Sequence, residues 1–333
     1  MDLFDLPRRV RRVRLQPLPH LPPHRRVGPL EPMRVARDEP ALPVASMGDV
    51  RRSRNVRRTG GHVTLTKRDV AILKAVARFR VAESPALLRL FFTGASRERG
   101  SQRLRQLFDS GFLQVRLGKL SEPNVYSLGE AGRRWAQEHG VPAGRVPSGD
   151  IAHHLAVVEL WSRLAVSLSQ RDDLRLGSFR ADWETRERGA GTLPVIPDGL
   201  VEIRQRCEGG GSARIALEVD LGSERPEVIR EKLLAYGQLQ SGSPTVLAWP
   251  GFSLAVVLVR GGSRRVQTLT ELLKTFWPGA SLLLRTEEWP GLLLEKLAAG
   301  ALPTDSTNGR KGLADLTSGT PTNAAQEDRE PSR

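Results

Sequence analysis

The fold is decided by one stretch of the chain, residues 96–111, which reads SRERGSQRLRQLFDSG. Leu104, Leu107 and Phe108 recur at the spacing of one helix face, so the stretch predicts an amphipathic helix. Gly111 follows the last apolar residues and is expected to end the helix, because glycine readily adopts the left-handed conformation found at helix ends. The helix has one apolar face for a core and leaves the opposite face free for other contacts.

That opposite face has the composition of a helix that contacts DNA. It carries Arg99, Gln102 and Gln106, with Arg103 and Arg105 at its edges. In the major groove, arginine can bond guanine O6 and N7, and glutamine can bond adenine N6 and N7. We predict that these five side chains contact DNA; a solvated amphipathic helix would be the alternative if the helix stood alone.

Two shorter helices are predicted upstream of this one. Thr66 followed by Asp69 has the pattern of a capping box at the start of a helix. Ser84 and Pro85 fit the N-cap and first position of a second, short helix. The sequence therefore predicts three helices in succession.

A short hairpin and a closing helix follow. Residues 112–116 and 124–128 are predicted strands, joined by a basic loop that contains Lys119, and a helix starts near Gly129. Three helices, a two-stranded wing and a helix in this order resemble the winged helix family. The resemblance implies that the third helix recognises DNA and that Lys119 in the wing contacts the backbone or minor groove. Some winged helices bind proteins instead.

A second block of alternating helices and strands is predicted after a Pro- and Gly-rich join at residues 140–149. Its first helix carries His153 and His154, which cannot both face one ligand; one of them could face an acidic cluster. The predicted elements are a helix at 151–168, a strand ending at Trp183 and Glu184, strands at 195–203 and 214–220, a helix at 226–239, and strands at 245–249 and 254–259.

The acids of this block resemble the PD-(D/E)xK nuclease-like core. Asp198 follows a proline, and Glu218 and Asp220 are separated by one residue. In that core, acids at strand ends hold a divalent metal that activates water. The resemblance implies that Asp198 and Glu218 bind Mg²⁺ or Mn²⁺, with Asp220 as a third acid.

The sequence departs from this core at one position. Asp220 stands where a lysine is expected, and Lys232 on the following helix could reach back as a displaced lysine. Glu159 or Glu184 could match an earlier acid of the core. The candidate catalytic residues are therefore Asp198, Glu218, Asp220 and Lys232; the alternative is that these are solvated charges or relics of a lost nuclease.

Taken together, the two blocks resemble the replication-relaxation family of plasmids and integrative elements. The residues that carry the resemblance are the winged block, His153 and His154, the segment EVDLGSE at 218–224, and Lys232 with Tyr236. The resemblance implies a role in replication or DNA relaxation of a mobile element. A topoisomerase is disfavoured, because Tyr126 and Tyr236 are the chain's two tyrosines and one lies in the wing.

Composition limits the remaining classes of protein. The net charge of +14 favours a polyanionic partner. One cysteine, Cys207, excludes an intramolecular disulfide framework and a Cys-based zinc site. No stretch approaches 18 uninterrupted apolar residues, so we expect no membrane partner and a soluble, cytoplasmic protein, associated with the nucleoid through DNA.

The predicted fold class is α/β, α+β overall, in four parts. We expect a disordered basic tail at 1–62, a winged helix-turn-helix at 63–140, an α/β restriction-endonuclease-like domain at 150–300 and a disordered tail at 301–333. Met47 is an alternative to Met1 as the first residue.

The leading functional hypothesis is a DNA-binding protein of a mobile element that acts in replication or relaxation of that DNA. Its expected partners are double-stranded DNA, other replication or mobilisation proteins, and a second copy in a homodimer. The alternatives are a divalent-metal-dependent DNA nuclease or nicking enzyme, and a transcriptional regulator.

Overall fold

A computed structural model describes residues 63–116, 122–146, 151–187, 193–207, 210–241, 252–277, 281–300 and 302. These residues belong to one compact unit that spans residues 57–333. We call residues 63–146 the N-terminal block and residues 151–302 the C-terminal block. The predicted tail at 1–62, the predicted tail at 301–333 except the buried Leu302, the wing residue Lys119 and the predicted strand at 245–249 lie outside the described residues.

The N-terminal block has the predicted order of three helices, a hairpin and a helix. Its elements are α1 (Lys67–Phe79), β1 (Ala82–Glu83), α2 (Ser84–Phe91), α3 (Arg97–Asp109), β2 (Leu113–Arg116), β3 (Val125–Leu128) and α4 (Glu130–Glu138).

Local sequence signals explain where these helices begin. At α1, the Thr66 hydroxyl accepts a bond from the Asp69 amide (3.3 Å), and Asp69 accepts one from the Thr66 amide (2.7 Å). This is the predicted capping box. Ser84 was predicted as the N-cap of α2 but is its first residue instead. The reason is that Glu83 pairs with Val125 in the antiparallel ladder of β1 and β3 and so precedes the helix in extended form.

The core of the N-terminal block lies between α3, the hairpin and α1. Leu104, Leu107 and Phe108 are all buried, as their spacing predicts. Gly132 in α4 packs directly on the hairpin, because a Cβ there would overlap the carbonyl oxygen of Phe112. The apolar face of α3 is thus fully used, and its other face points away from this core.

The C-terminal block contains a five-stranded sheet with helices around it. Its elements are α5 (Ile151–Ser169), β4 (Leu174–Ala181), α6 (Asp182–Glu187), β5 (Gly199–Gln205), β6 (Ser212–Asp220), α7 (Pro226–Ser241), β7 (Ser253–Leu258), α8 (Ser263–Phe276), β8 (Ser281–Arg285) and α9 (Gly291–Ala298).

The sheet has the strand order β4-β5-β6-β7-β8. β4, β5 and β6 are antiparallel neighbours, whereas β6, β7 and β8 run parallel and are linked through α7 and α8. Parallel strands need such crossovers, because a tight turn cannot return the chain to the same end of the sheet. α7 and α8 cover one face, where Leu233, Tyr236 and Trp277 join the apolar side chains of the strands. The predicted α/β fold class is confirmed.

One element of this block was predicted wrongly. Trp183 and Glu184 lie in helix α6 and not at the end of a strand, since β4 ends at Ala181. The Glu184 carboxylate accepts a bond from the Ala181 amide (2.9 Å), and Thr185 donates to the Ala181 carbonyl (3.1 Å). These two bonds satisfy backbone groups at the turn into a helix, and so favour the helix over a longer strand.

The two blocks are packed against each other through α1, α2 and α5. The ring of Phe79, the last residue of α1, lies 4.3 Å from that of Trp161 on α5. Arg89 on α2 makes two bonds to Glu159 (2.8 and 2.9 Å) and one to Ser162 (2.6 Å). We call this set of contacts the junction.

Candidate functional site

The outward face of α3 is the first candidate site. Ser96 caps the helix by accepting a bond from the Arg99 amide (3.3 Å). Arg99, Gln102 and Gln106 are exposed, at positions three and four residues apart, and so lie along one face. Arg105 is also exposed and pairs with Asp109 one turn away (2.9 Å). The face presents four of the five α3 side chains that were predicted to contact DNA; the fifth is Arg103.

Arg103 has a different environment from its neighbours. Its guanidinium bonds both oxygens of Asp69 (2.9 and 2.6 Å) and the carbonyl of Thr64 (3.1 Å). Burial alone would raise the pKa of Asp69, but the bonds from Arg103 and Thr66 hold that pKa below its usual value. Arg103 also donates to the Gln106 side chain (2.8 Å). Within the protein, Arg103 positions α3 against the start of α1, and its role as a DNA contact stays a prediction.

The second candidate site lies in the C-terminal block, where β5 begins and β6 ends. We call it the carboxylate cluster: His153, Asp198, Glu218, Lys232 and Tyr236. The antiparallel register that pairs Gly199 with Leu217 brings the residue before β5 next to the end of β6. One oxygen of Asp198 accepts from the Val219 amide (2.7 Å), and the other is 2.9 Å from His153 Nε2.

Glu218 is the centre of this cluster. Its Oε2 lies 3.1 Å from Lys232 Nζ, and its Oε1 accepts a hydrogen bond from the hydroxyl of Tyr236. Lys232 also bonds Glu224 (2.8 Å), so one ammonium group bridges two carboxylates. Lys232 and Tyr236 both come from α7, four residues apart, which places them on the same helix face.

The electrostatics of the cluster follow from burial and from the closeness of two acids. Burial, followed by the negative charge of Asp198, raises the pKa of Glu218 to about 8. Burial alone would lower the pKa of Lys232, but Glu218 and Glu224 raise it, so the ammonium stays charged. The hydrogen bond to Asp198 raises the pKa of His153. The cluster therefore contains a carboxyl group and an imidazole with raised pKa values, and one ammonium group that stays charged.

Asp220 is not part of this arrangement, although Glu218 is only two residues away. Both of its oxygens accept bonds from Arg265 at the start of α8 (2.7 and 2.8 Å), and one also accepts from the Gly222 amide (2.9 Å). Its predicted roles in catalysis and metal binding would require this pairing to open.

The earlier acid of the nuclease-like pattern is also used elsewhere. Glu159 bonds Arg89 in the junction, and Glu184 bonds Arg78 of α1 (2.7 Å). His153 on α5 contacts Asp198 instead, as the sequence suggested for one of the two adjacent histidines. His154 points to the other side, where it bonds the Phe79 carbonyl (2.6 Å) and stacks on Trp183.

The chemistry of the donors decides whether a metal ion fits. Among the described residues, no group of three or more His, Cys, Asp and Glu side chains is placed to hold a metal ion. Asp198 and Glu218 are nevertheless adjacent carboxylates, and Mg²⁺ is often held by one or two carboxylates together with water and substrate phosphates. The residues fit a metal site of two carboxylates and not the three-acid site that the sequence predicted.

A family model described as replication-relaxation matches residues 73–246, just over half of the chain. This chain belongs to the replication-relaxation family. The matched range includes α3 and every residue of the carboxylate cluster. No curated protein sequence matches the chain at a significant level.

Among solved structures, the restriction endonuclease FokI is matched at 13% identity, over 72% of this chain and 47% of that chain, with a TM-score of 0.26. The replication-relaxation chain thus covers less than half of the nuclease, and so low a TM-score carries no argument about the site. In the part of the chain that the structure describes, no helix is both long and apolar enough to cross a bilayer.

Proposed function

We propose that this replication-relaxation protein binds double-stranded DNA of a mobile element through the outward face of α3, and acts in the replication or relaxation of that DNA. The family supplies the role in replication or relaxation. The observation that supports α3 as the DNA contact is its exposed row of Arg99, Gln102 and Gln106. These side chains suit guanine and adenine edges in the major groove.

The packing of α3 favours this use. Its buried face is held by the core, and Arg103 fixes it to α1 through the fully buried Asp69. A helix held in this way keeps its exposed side chains in one orientation, which reduces the conformational entropy lost on binding. The wing residue Lys119 and the arginines of the first 62 residues, outside the described residues, would add backbone contacts without base specificity.

The test is a binding measurement with a duplex enriched by the wild-type protein from a random library. Arg99→Ala is expected to lower affinity for this duplex by about 1–3 kcal/mol, or about 5- to 150-fold, relative to unrelated DNA. Arg145→Ala, which removes an exposed arginine after α4, is the matched control. Arg99→Ala protein that still prefers the enriched duplex as strongly as wild type would refute base recognition by α3.

A second candidate function is a divalent-metal-dependent DNA nuclease or nicking enzyme. The observation that favours it is the gathering of Asp198, Glu218 and Lys232 at the adjoining ends of β5 and β6. Asp198 and Glu218 would hold Mg²⁺ or Mn²⁺, which would supply an activated water and stabilise charge on a phosphate. Lys232 would contribute a positive charge next to the scissile group, and His153 would orient Asp198.

Cleavage of supercoiled plasmid in the presence of Mg²⁺ or Mn²⁺ tests this candidate. Nicked or linear product from wild type should disappear with Asp198→Asn and with Lys232→Met. Glu231→Gln, at an exposed position of α7 next to Lys232 in sequence, should cleave like wild type. Intact plasmid with wild-type protein, or equal cleavage by Asp198→Asn, would rule out this site.

A further inference from the structure

Three arginines extend from one end of the five-stranded sheet. Arg225 lies between β6 and α7, and Arg260 and Arg264 lie at the turn from β7 into α8. Arg225, Arg260 and Arg264 are all exposed. We call these three residues the basic edge.

Strand register puts the three residues in one place. β6 and β7 are parallel, and Asp220 at the end of one is opposite Leu258 at the end of the other. The chain therefore leaves both strands at the same edge of the sheet, and the two following turns are neighbours.

Hydrogen bonds hold these turns together. Arg265 bonds Asp220 with two nitrogens and the Glu224 carbonyl with the third (2.7 Å). Gly222, at φ +79°, approaches so closely that a Cβ there would lie 2.5 Å from the Arg260 carbonyl oxygen. The basic edge is consequently presented by a cross-linked pair of turns and not by two independent loops.

The positive charge of this edge is not neutralised within the described residues. None of the three basic-edge side chains makes an ion pair there, in contrast to Arg103, Arg89 and Arg265. Two acids of these turns pair with other residues, Asp220 with Arg265 and Glu224 with Lys232. An unpaired cluster of guanidinium groups attracts anions, and arginine forms two parallel bonds to a phosphate.

The carboxylate cluster lies at the same edge of the sheet. Asp198 precedes β5, whose first residue pairs with Leu217, and Glu218 is two residues before the end of β6. A polyanion held by the basic edge would therefore run next to Glu218 and Lys232.

We propose that the basic edge binds the phosphate backbone of double-stranded DNA, as a second contact surface in addition to α3. This inference extends the DNA-binding function proposed above and assigns it residues in the C-terminal block. Because phosphates are the same in every sequence, the contact adds affinity and salt dependence without base preference.

The experiment measures affinity for an unrelated 30-base-pair duplex and for the enriched duplex from about 50 to 200 mM salt. In Arg225→Gln/Arg260→Gln/Arg264→Gln, the slope of log K against log salt should become shallower by about 2–3, since each lost phosphate contact contributes about 0.9. Affinity for the two duplexes should fall by the same factor, so that their ratio stays at the wild-type value.

The control variant removes the same charge from other parts of the C-terminal block. Arg175→Gln/Lys274→Gln/Lys296→Gln changes one exposed residue of β4 and the exposed lysines in the last turns of α8 and α9. Lys274 is ten residues beyond Arg264, about 15 Å along α8. Circular dichroism and thermal unfolding establish that both triple variants are folded.

The possible results separate this inference from the function proposed for α3. An unchanged salt slope in the basic-edge variant, or a change no larger than that of the control, would overturn the inference and leave α3 recognition intact. Loss of the preference for the enriched duplex in Arg99→Ala, with a reduced slope in the basic-edge variant, would support both. A reduced slope alone would support the basic edge without base recognition by α3.

Discussion

At the scale of single residues, arginines on the same helix have different roles. Arg99 is exposed on α3, whereas Arg103, one turn later, neutralises a carboxylate with no solvent exposure. Helical periodicity shows which face of the helix a residue occupies, but not which charged residue of another element packs next to it. Asp69 is 34 residues away in the sequence, so its pairing with Arg103 exists only once α1 and α3 have packed.

Arg103→Ala should lower the free energy of unfolding by about 2–4 kcal/mol, because it leaves Asp69 buried without its partner. The pKa of Asp69 is depressed in the folded protein, so this stabilisation is fully present above the usual value of 3.8 and is lost as pH falls through the lower folded pKa. The difference between wild type and variant, from denaturant unfolding, should be constant between about pH 7 and 5 and shrink below pH 3.8.

Arg97→Ala, on the first turn of the same helix, is the control and should change stability little, since Arg97 is exposed. Equal unfolding free energies for wild type and Arg103→Ala at neutral pH would show that the ion pair does not hold α3 in place. They would also return Arg103 to the set of side chains free to contact DNA.

At the scale of helices and strands, the sequence predicts most where the signal is local. The start of α1 is predicted because its capping box lies within four residues, and the extent of α3 because its apolar spacing ends at a glycine. β1 is missed, because two residues carry no periodicity and pair with β3 about 43 positions later. α6 is mistaken for a strand, because the alternating apolar residues Phe179 and Ala181 of β4 continue to Trp183. Hydrogen bonds of Glu184 and Thr185 instead turn the chain into a helix.

The same limit applies to the carboxylate cluster. The sequence predicts that Asp198, Glu218 and Lys232 lie close together, and the structure places them so. The prediction is possible because a strand, a turn and a helix in succession can be arranged in few ways. The sequence wrongly predicts that Asp220 joins them. Because Asp220 follows Glu218 by two residues in β6, the two side chains are expected on the same side of the strand. The two acids differ in the helix that supplies their partner. Lys232 of α7 bonds Glu218, whereas Arg265 of α8, 45 residues away in the sequence, bonds Asp220.

At the scale of the whole molecule, the junction joins the two blocks across the Pro- and Gly-rich segment that the sequence predicts as a linker. The contacts at Phe79 and Arg89 combine buried aromatic surface with a two-bond ion pair. Removing either block would expose apolar rings at the end of α1 and along α5. The two blocks should therefore stabilise each other.

We expect wild-type protein to unfold in one calorimetric transition. Leu107→Ala lies wholly within the N-terminal block and Trp277→Ala within the C-terminal block; each deletes a buried side chain and should cost about 2–5 kcal/mol. If the junction couples the blocks, both substitutions lower the temperature of the same single transition. Two separate transitions, each sensitive to only one of the substitutions, would show that the blocks unfold independently.

If α3 and the basic edge both bind DNA as proposed, the junction fixes the spacing between the two contacts along the double helix. A double helix turns once in about 10.5 base pairs, so two protein surfaces that cannot move separately meet the same side of it only at certain spacings. Because α3 and the basic edge belong to one compact unit, the bases contacted by α3 and the phosphates contacted by the basic edge would have to lie at a fixed angle around the DNA axis. Its affinity would then depend on the helical twist of the DNA site as well as on its sequence. Overwound or underwound DNA would bind with different affinity.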